Sequence, residues 1–123
     1  MFSPRSTIAA TMTAEAPVQR QLEAYNARDL DRFVAEYHDD IRVFRAPSGT
    51  PVLDGKAAFT AHYAAHRFNL PNLHADVLSR MVVGNKVIDH ERVSGVHDRP
   101  FEAAVVYEVV DGVIRTVWFF DAA

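Results

Sequence analysis

The 123-residue sequence contains no cysteine and has no excess of positive charge. The absence of cysteine excludes disulfide bonds, thiolate metal sites and cysteine nucleophiles. The formal net charge is −3, which argues against nucleic acid as a partner because proteins that bind it usually carry a basic surface. The longest apolar runs are shorter than the roughly 18 residues that a membrane span needs.

The residues that are present predict one globular domain. Hydrophobic residues make up 49% of the chain and charged residues 24%, as in ordinary soluble proteins. The opening stretch, MFSPRSTIAATMT, is too weakly apolar for a secretory signal. We therefore predict a flexible tail over residues 1–13, a single domain over residues 14–123 and a cytoplasmic location.

Hydrophobic periodicity predicts three helices in the first half of the chain. Val18 and Tyr25 lie two turns apart on one face of the first helix. Asp29 is suited to capping a second helix within DLDRFVAEYHDD. The stretch LDGKAAFTAHYAAHRF predicts a third helix, with Phe59 and Tyr63 on its inner face.

The remaining segments read as β-strands. IRVFRA alternates and is followed, after the third helix, by a meander made of LHADVLSRMVV, KVIDHERVSGV, FEAAVVYEVV and VIRTVWFFD. Gly84-Asn85 and Asp111-Gly112 predict tight hairpin turns, and HDRP predicts a third turn. The order of elements predicts an α+β fold in which the helices pack on one face of a curved antiparallel sheet.

Tight turns also predict which strand residues face each other, because loop length sets hairpin register. A two-residue turn at Gly84-Asn85 pairs Arg80 with Asp89. A turn within HDRP pairs His90 with Tyr107. The predicted outer face carries the charged residues Arg80, Asp89, Glu91, Glu108 and Arg115. The predicted inner face carries Ile88, Phe101, Val105, Val109, Ile114, Trp118 and Phe120, together with the polar Ser79, His90, Arg92, Tyr107 and Thr116. A β-bulge in either strand would exchange the two sets.

The predicted outer face also holds an apolar patch of Ala104, Val106, Val117 and Phe119. Scattered surface hydrophobes are common. Contiguity across two paired strands favours a subunit interface instead, and we predict a homodimer through this face.

Three segments resemble the nuclear-transport-factor-2-like (NTF2-like) superfamily and its SnoaL-like members: VQRQLEAYNARDLDRFVAEYHDDIRVF, LDGKAAFTAHYA and VVDGVIRTVWFF. GNKVIDHERVSG resembles an uncharacterised SnoaL-like subgroup. The resemblance implies a cone-shaped, cystatin-like fold in which three helices and a curved sheet enclose a pocket. It does not imply one reaction, since this fold hosts unrelated chemistries.

Ketosteroid isomerases belong to the same superfamily, but their catalytic residues have no counterpart in this sequence. The oxyanion-hole tyrosine falls on Gln21, the general-base aspartate on Arg45, and the protonated aspartate on Val105 or Ala104. Tyr63 matches the tyrosine that supports the oxyanion hole. The comparison does not support a steroid-isomerase mechanism.

The implied pocket is lined, in the predicted register, by Arg45, Tyr63, His90, Arg92, Tyr107 and Trp118. His90 is the predicted acid/base because its reference pKa is near neutrality. Tyr107 would orient its ring or donate to a developing oxyanion. Arg45, Tyr63, Arg92 and Trp118 are the predicted ligand-binding residues, and the two arginines would suit a carboxylate or enolate oxygen. This register places no carboxylate in the pocket.

Each of these residues also has a structural interpretation. A buried histidine bonded to tyrosine is usually part of the core, and Arg92 could extend to the open end of the cone. Trp118 could be a core residue, and Tyr63 could serve only in helix packing. His62 and His66 have the spacing of a two-histidine metal site, but HYAAH lacks a glutamate and a third ligand. We predict no metal and no other cofactor.

Three classes of function stay open at this point. The protein could be a cofactor-independent isomerase, cyclase or dehydratase that acts on a small, partly apolar carbonyl compound with His90 as acid/base. It could bind a similar carbonyl or carboxylate ligand without turnover. It could also be a structural homodimer with an incidental cavity. An inward His90 beside a solvent-connected cavity would favour the first two classes over the third.

Overall fold

The computed structural model describes residues 4–122, with side chains from residue 14 onward. Its elements are α1 (Pro4–Asn26), α2 (Leu30–Val34), β1 (Tyr37–Arg45), β2 (Leu53–Asp54), α3 (Lys56–His66), β3 (His74–Val83), β4 (Lys86–Ser94), β5 (Phe101–Val110) and β6 (Val113–Asp121). None of the helices in this part of the chain is long and apolar enough to cross a membrane.

The six strands form one sheet in the order β2-β1-β6-β5-β4-β3. Strands β1 and β6 run parallel, and every other neighbouring pair is antiparallel. Helix α1 packs across the inner side of β3 to β6, while α3 packs against β1 and β2. The sheet and helices thus form the predicted α+β fold, with a space between the two layers.

Local sequence signals account for most helix boundaries. The side chain of Asp29 accepts a hydrogen bond from the backbone N–H of Arg32 at 3.2 Å, which confirms the predicted cap of α2. Helix α2 is short because the chain enters β1 at Tyr37. Strand β2 was not predicted. Its Leu53 pairs with Val43, so α3 begins only at Lys56.

Helix α1 begins at Pro4, so residues 4–13 of the predicted tail are helical. Residues 1–3 lie outside the described residues. The flexibility predicted for residues 1–13 stays a prediction.

An aromatic cluster joins the three helices to the first strand. Phe33 is fully buried, and its ring centroid lies 5.0 Å from those of Tyr37, Tyr63 and Phe68 and 5.7 Å from that of Phe59. Each of these rings removes a large apolar area from water. The cluster therefore closes one wall of the cone and fixes α2 and α3 against the sheet.

The first hairpin has the predicted register over most of its length. Arg80 pairs with Asp89, and Ser79 pairs with His90. A bulge at Leu78 shifts the pairing beyond that point, so that Val77 lies opposite Glu91. The pairing was right, but the face was wrong: Asp89 is fully buried and Arg80 is partly buried beside it.

The second hairpin was predicted in the wrong register. His90 pairs with Ala104 and not with Tyr107, a shift of three residues. The cause is the connection at residues 95–100, which is longer than a tight turn. Gly95 has φ +84°, and a Cβ there would lie 2.1 Å from the carbonyl oxygen of Asn72. Only glycine fits this position. Because the register shift is an odd number of residues, every side chain of β4 lies on the face opposite to the predicted one.

The third hairpin begins as predicted and then departs from the prediction. Val109 pairs with Ile114, but a bulge at Arg115 puts Val117 opposite Tyr107. A bulge adds one residue to one strand and so reverses its later side chains. Phe119 consequently points inward and Trp118 outward.

The bulge and the shifted register change the predicted faces. Strand β5 has the predicted orientation, with Val105 and Tyr107 buried. In β4 the buried residues are Val87, Asp89, Glu91 and Val93, while His90 and Arg92 are exposed. The predicted outer patch was wrong in its two β6 members, Val117 and Phe119, which line the cavity.

Candidate functional site

A cavity of about 670 Å³ lies between the helices and the inner face of the sheet. Its volume falls within the range of roughly 300–1,000 Å³ that is usual for small-molecule pockets. The walls are largely apolar and include Leu22, Phe33, Val43, Leu53, Val93, Phe101, Val105, Val117 and Phe119. The polar groups of the cavity are gathered at two places, around Glu91 and around Arg67.

Three acidic residues line the cavity, and Glu91 is buried whereas Glu102 and Asp121 are exposed. Glu91 is 8% exposed, and its Oε2 accepts a hydrogen bond of 2.8 Å from the hydroxyl of Tyr107. Among the described side chains, none donates to Oε1, and no buried side-chain oxygen is left without a partner. Oε1 is therefore reachable from the cavity. One oxygen is held by the protein and the other can meet a bound molecule.

A chain of hydrogen bonds supports Tyr107 from behind. The hydroxyl of Tyr37 donates to Oε1 of Gln21 at 2.8 Å, and Nε2 of Gln21 lies 3.5 Å from the hydroxyl of Tyr107. Gln21 also donates to the carbonyl of Val18 at 3.0 Å, which fixes its amide within α1. Because Nε2 of Gln21 is a donor, the Tyr107 hydroxyl can only accept from it. The hydroxyl therefore directs its own hydrogen toward Glu91.

Burial raises the pKa of Glu91 to about 7. This value is a balance, because the Tyr107 hydrogen bond and the positive charge of Arg80 lower the pKa while the negative charge of Asp89 adds to the rise. A carboxyl group with this pKa is present in both protonation states near neutral pH. It can therefore accept or release a proton under ordinary conditions.

Asp89 lies two residues earlier on the same face, in a different setting. Arg80 donates two hydrogen bonds to Asp89, from Nε to Oδ1 at 2.7 Å and from Nη2 to Oδ2 at 3.0 Å. The remaining Nη1 of Arg80 reaches Gln19 at 2.9 Å and Glu15 at 3.3 Å on α1. Asp89 does not line the cavity, so this ion pair joins β3, β4 and α1 and leaves the chemistry to Glu91.

The tyrosines of the cavity are neutral hydrogen-bond donors. Burial raises the pKa of Tyr25 to about 12, and it raises the pKa values of Tyr37, Tyr63 and Tyr107 above the ordinary range. For Tyr107 the nearby Glu91 adds to this effect. The hydroxyls of Tyr25 and Tyr63 can donate to a carbonyl or enolate oxygen, whereas those of Tyr37 and Tyr107 already donate to Gln21 and Glu91. None of the four ionises at neutral pH.

Basic groups gather at another end of the cavity. Arg45 forms an ion pair of 2.8 Å with Asp121 at the mouth. His62 and Arg67 also line the cavity. Burial lowers the pKa of His62, and the positive charges of His66, Arg67 and Arg45 lower it further.

Three of the six predicted site residues line the cavity: Arg45, Tyr63 and Tyr107. The other three lie on the outer face, because β4 and β6 present the opposite parity there. His90 is exposed and hydrogen-bonds Glu102, while Arg92 is exposed opposite the same residue. The ring of Trp118 stacks on Phe44 at 6.2 Å.

The sequence interpretation missed Glu91 and Gln21. One signal for Glu91 was available, since Val87 and Val93 share its parity in β4 and are both β-branched and apolar. Among the even-numbered residues of β4, Ile88 is apolar and the others are polar. Apolar alternation thus favoured the observed face, but the prediction followed the hairpin register that the assumed turn lengths imply.

The histidines of α3 are neighbours, with ring centroids 5.0 Å apart for His62 and His66. His62 is partly buried and lines the cavity. Within the part of the chain that the structure describes, no three His, Asp or Glu side chains form a cluster suited to a metal ion.

The fold and the cavity invite comparison with known families. The model of the SnoaL-like domain matches residues 18–117 of the chain. The chain belongs to the SnoaL-like family. The match confirms the NTF2-like superfamily that the sequence resembles. A search of curated proteins found no significant match.

Solved structures share the fold over most of this SnoaL-like chain. An uncharacterised cystatin-fold protein from Novosphingobium aromaticivorans is 27% identical, with a TM-score of 0.76 over 87% of this chain and 96% of the other. An NTF-2 like protein of unknown function from Burkholderia xenovorans is 20% identical, with a TM-score of 0.76 over 93% and 88%. An LEH-like epoxide hydrolase of M. tuberculosis is 18% identical, with a TM-score of 0.77 over 90% and 84%. The last two establish the cystatin-like fold alone.

Proposed function

We propose that this SnoaL-like protein is a cofactor-independent enzyme that transfers a proton to or from a small, partly apolar carbonyl compound. The reaction would be an isomerisation, cyclisation or dehydration. The observation that carries the proposal is the setting of Glu91, with Oε2 bound to Tyr107 and Oε1 open to the cavity. A pKa of about 7 suits this group to accept a proton and return it within one cycle.

In this scheme Glu91 replaces His90 as the acid/base. The ionised carboxylate removes a proton from carbon next to the carbonyl group, and the electron pair moves onto the carbonyl oxygen. A neutral tyrosine hydroxyl such as that of Tyr63 donates to the resulting enolate oxygen. Protonated Glu91 then returns the proton to another carbon or to a leaving hydroxyl. Tyr107 serves as a positioning residue, because its hydrogen bond fixes which oxygen of Glu91 faces the cavity.

The experiment follows exchange of carbon-bound protons, so it needs no knowledge of the natural substrate. 2-Tetralone in D₂O is the probe, and proton NMR measures deuterium incorporation at its acidic carbon. We expect wild-type protein to accelerate exchange and Glu91→Gln to lower the protein-dependent rate by about 10²-fold or more. The control is Glu23→Gln, the same change at an exposed position on α1.

The result also separates the enzyme from a binder without turnover. Accelerated exchange in wild type and Glu23→Gln, but not in Glu91→Gln, supports catalysis. Saturable binding of 2-tetralone without any acceleration would overturn the catalytic proposal in favour of a ligand-binding role. The walls and volume of the cavity suit either role, whereas the open oxygen of Glu91 favours catalysis.

We further propose that the outer sheet face pairs with a second copy of the chain. One apolar row crosses five strands, each member opposite the next: Met81, Ile88, Val106, Trp118 and Phe44. Met81 is 57% exposed, and the adjacent Phe120 is 47% exposed. Contiguous apolar surface of this kind usually marks an interface.

The charges beside this row support a self-complementary contact. Lys86 and Glu108 form one pair across the strands, at 3.3 Å, and His90 with Glu102 forms another. Both signs are present on the same face, so a second copy meets no field of one sign. Val106→Arg should convert a dimer into a monomer in sedimentation equilibrium, with circular dichroism confirming the fold. A monomeric wild type would contradict this proposal.

A further inference from the structure

Arg67 differs from the other charged groups that line the cavity. Glu91 is bonded to Tyr107, and Arg45 is paired with Asp121. Among the residues with described side chains, none offers Arg67 a carboxylate within ion-pair distance. Its Nη1 donates to the backbone carbonyl of His66 at 2.8 Å. This bond uses one of five guanidinium donors, and no carboxylate of the described side chains neutralises the charge.

The surroundings of Arg67 make this end of the cavity electropositive. The positive charges of Arg67 and Arg45 lower the pKa of His62, and all three residues line the cavity. The single acidic partner in this cluster is Asp121, which neutralises Arg45. An anionic group of a bound molecule would therefore meet the free charge of Arg67 in partly dehydrated surroundings, where a charge-assisted hydrogen bond is strong.

Arg67 and Glu91 both act on Tyr25. The pKa of Tyr25 is raised mainly by burial, lowered by Arg67 and raised again by Glu91, so both charged groups lie within electrostatic reach of its hydroxyl. Tyr25 is buried, and Tyr25, Arg67 and Glu91 all line the same cavity. One molecule of moderate length can thus contact both ends while its apolar middle lies against the valines of the sheet.

We propose that the natural ligand carries a carboxylate that binds Arg67, while its carbonyl group lies at Glu91. This inference rests on the proposed function for the Glu91 end, but the Arg67 end can be tested alone. A bidentate guanidinium–carboxylate contact fixes both distance and direction. Arg67 would then select keto acids over neutral ketones and hold the reacting carbon at a constant position relative to Glu91.

The test compares a carboxylate with its neutral isostere. The probes are 4-phenylbutanoate and 4-phenylbutanamide, and isothermal titration calorimetry measures their dissociation constants. We expect wild type to bind the acid about tenfold to a hundredfold more tightly than the amide. Arg67→Gln should abolish this preference, and Arg67→Lys should keep part of it.

The matched control is Arg92→Gln, which removes the same charge from an exposed position on the outer face. It should keep the full preference for the acid. Equal affinity of wild type for acid and amide, or no measurable binding of the acid, would overturn the inference. The same holds if Arg67→Gln folds and keeps the preference.

The two proposals fail separately. Glu91→Gln should leave the preference for the acid intact, because Arg67 is unchanged. If the acid preference depends on Arg67 but 2-tetralone exchange is never accelerated, the carboxylate site stands and the catalytic proposal fails. If exchange depends on Glu91 but acid and amide bind equally, the reverse holds.

Discussion

Two carboxyl groups on one face of β4 show how neighbouring positions acquire opposite roles. Asp89 is fully buried, and both of its oxygens are bound by Arg80. Glu91 is nearly as buried, but it has one neutral donor, Tyr107, and one oxygen open to the cavity. A buried charge with a complete partner is structural, whereas a buried acid without a counter-charge shifts its pKa and becomes reactive. The partner decides between these roles, since the two positions share strand, face and burial.

The largest expected effect comes from removing the partner of Asp89. Arg80→Met should lower the free energy of unfolding by about 3–5 kcal/mol, because it leaves an uncompensated charge in the interior. Urea denaturation followed by circular dichroism measures the change. The control is Arg42→Met, whose partner Asp54 lies 3.4 Å away with both side chains more than half exposed. That pair should contribute less than about 1 kcal/mol, and equal losses in the two variants would contradict the comparison.

The second effect is the pH dependence that Glu91 gives to stability. The folded carboxyl binds its proton up to about pH 7, whereas the unfolded one releases it near 4.5. The free energy of unfolding should therefore fall as the pH rises between these values, by roughly 3 kcal/mol, and stay lower above pH 7. Glu91→Gln should remove this slope and be more stable than wild type above pH 7.

Urea denaturation at a series of pH values measures this slope. Glu23→Gln is the control, since an exposed glutamate contributes no such burial cost. If Glu91→Gln keeps the wild-type slope, another group carries it and the proposed difference between Asp89 and Glu91 is wrong.

The smallest effect sharpens the comparison at Tyr107. Tyr107→Phe removes the hydroxyl that donates to Oε2, so the pKa of Glu91 should rise further. We expect a loss of about 1 kcal/mol in the free energy of unfolding above pH 7, where Glu91 is ionised. Carbon-13 NMR of the Glu91 carboxyl measures its titration. A lower pKa, or an unchanged one, would show that Tyr107 does not stabilise the ionised form.

The sequence allowed the fold to be predicted more fully than the site. Helical periodicity, the Asp29 cap and the Asp-Gly turn are local signals, and the structure contains the elements they predict. Strand β5 also has its predicted faces, since Val105 and Tyr107 alternate with less buried residues. These features depend on residues that are neighbours in the chain, so a single sequence displays them.

The faces of β4 and β6 could not be predicted in the same way. At β4 the register depends on the connection to β5, which is longer than the tight turn that its sequence suggests. At β6 a bulge at Arg115 reverses the later residues, and the sequence gives no clear signal for its position. Each reverses the faces of one strand, and together they place Glu91 and Phe119 in the pocket and His90 and Trp118 outside it.

The sequence by itself determined the element order, the α+β class, the resemblance to the SnoaL-like family and three pocket residues, Arg45, Tyr63 and Tyr107. Only the tertiary structure decided that Glu91 faces the cavity and that Asp89 is neutralised by Arg80. The physical reason is that side chains on a strand alternate with a period of two residues, so composition and alternation are local, while parity is set by distant contacts. The charge of an inward carboxyl is likewise decided by partners from other strands and helices.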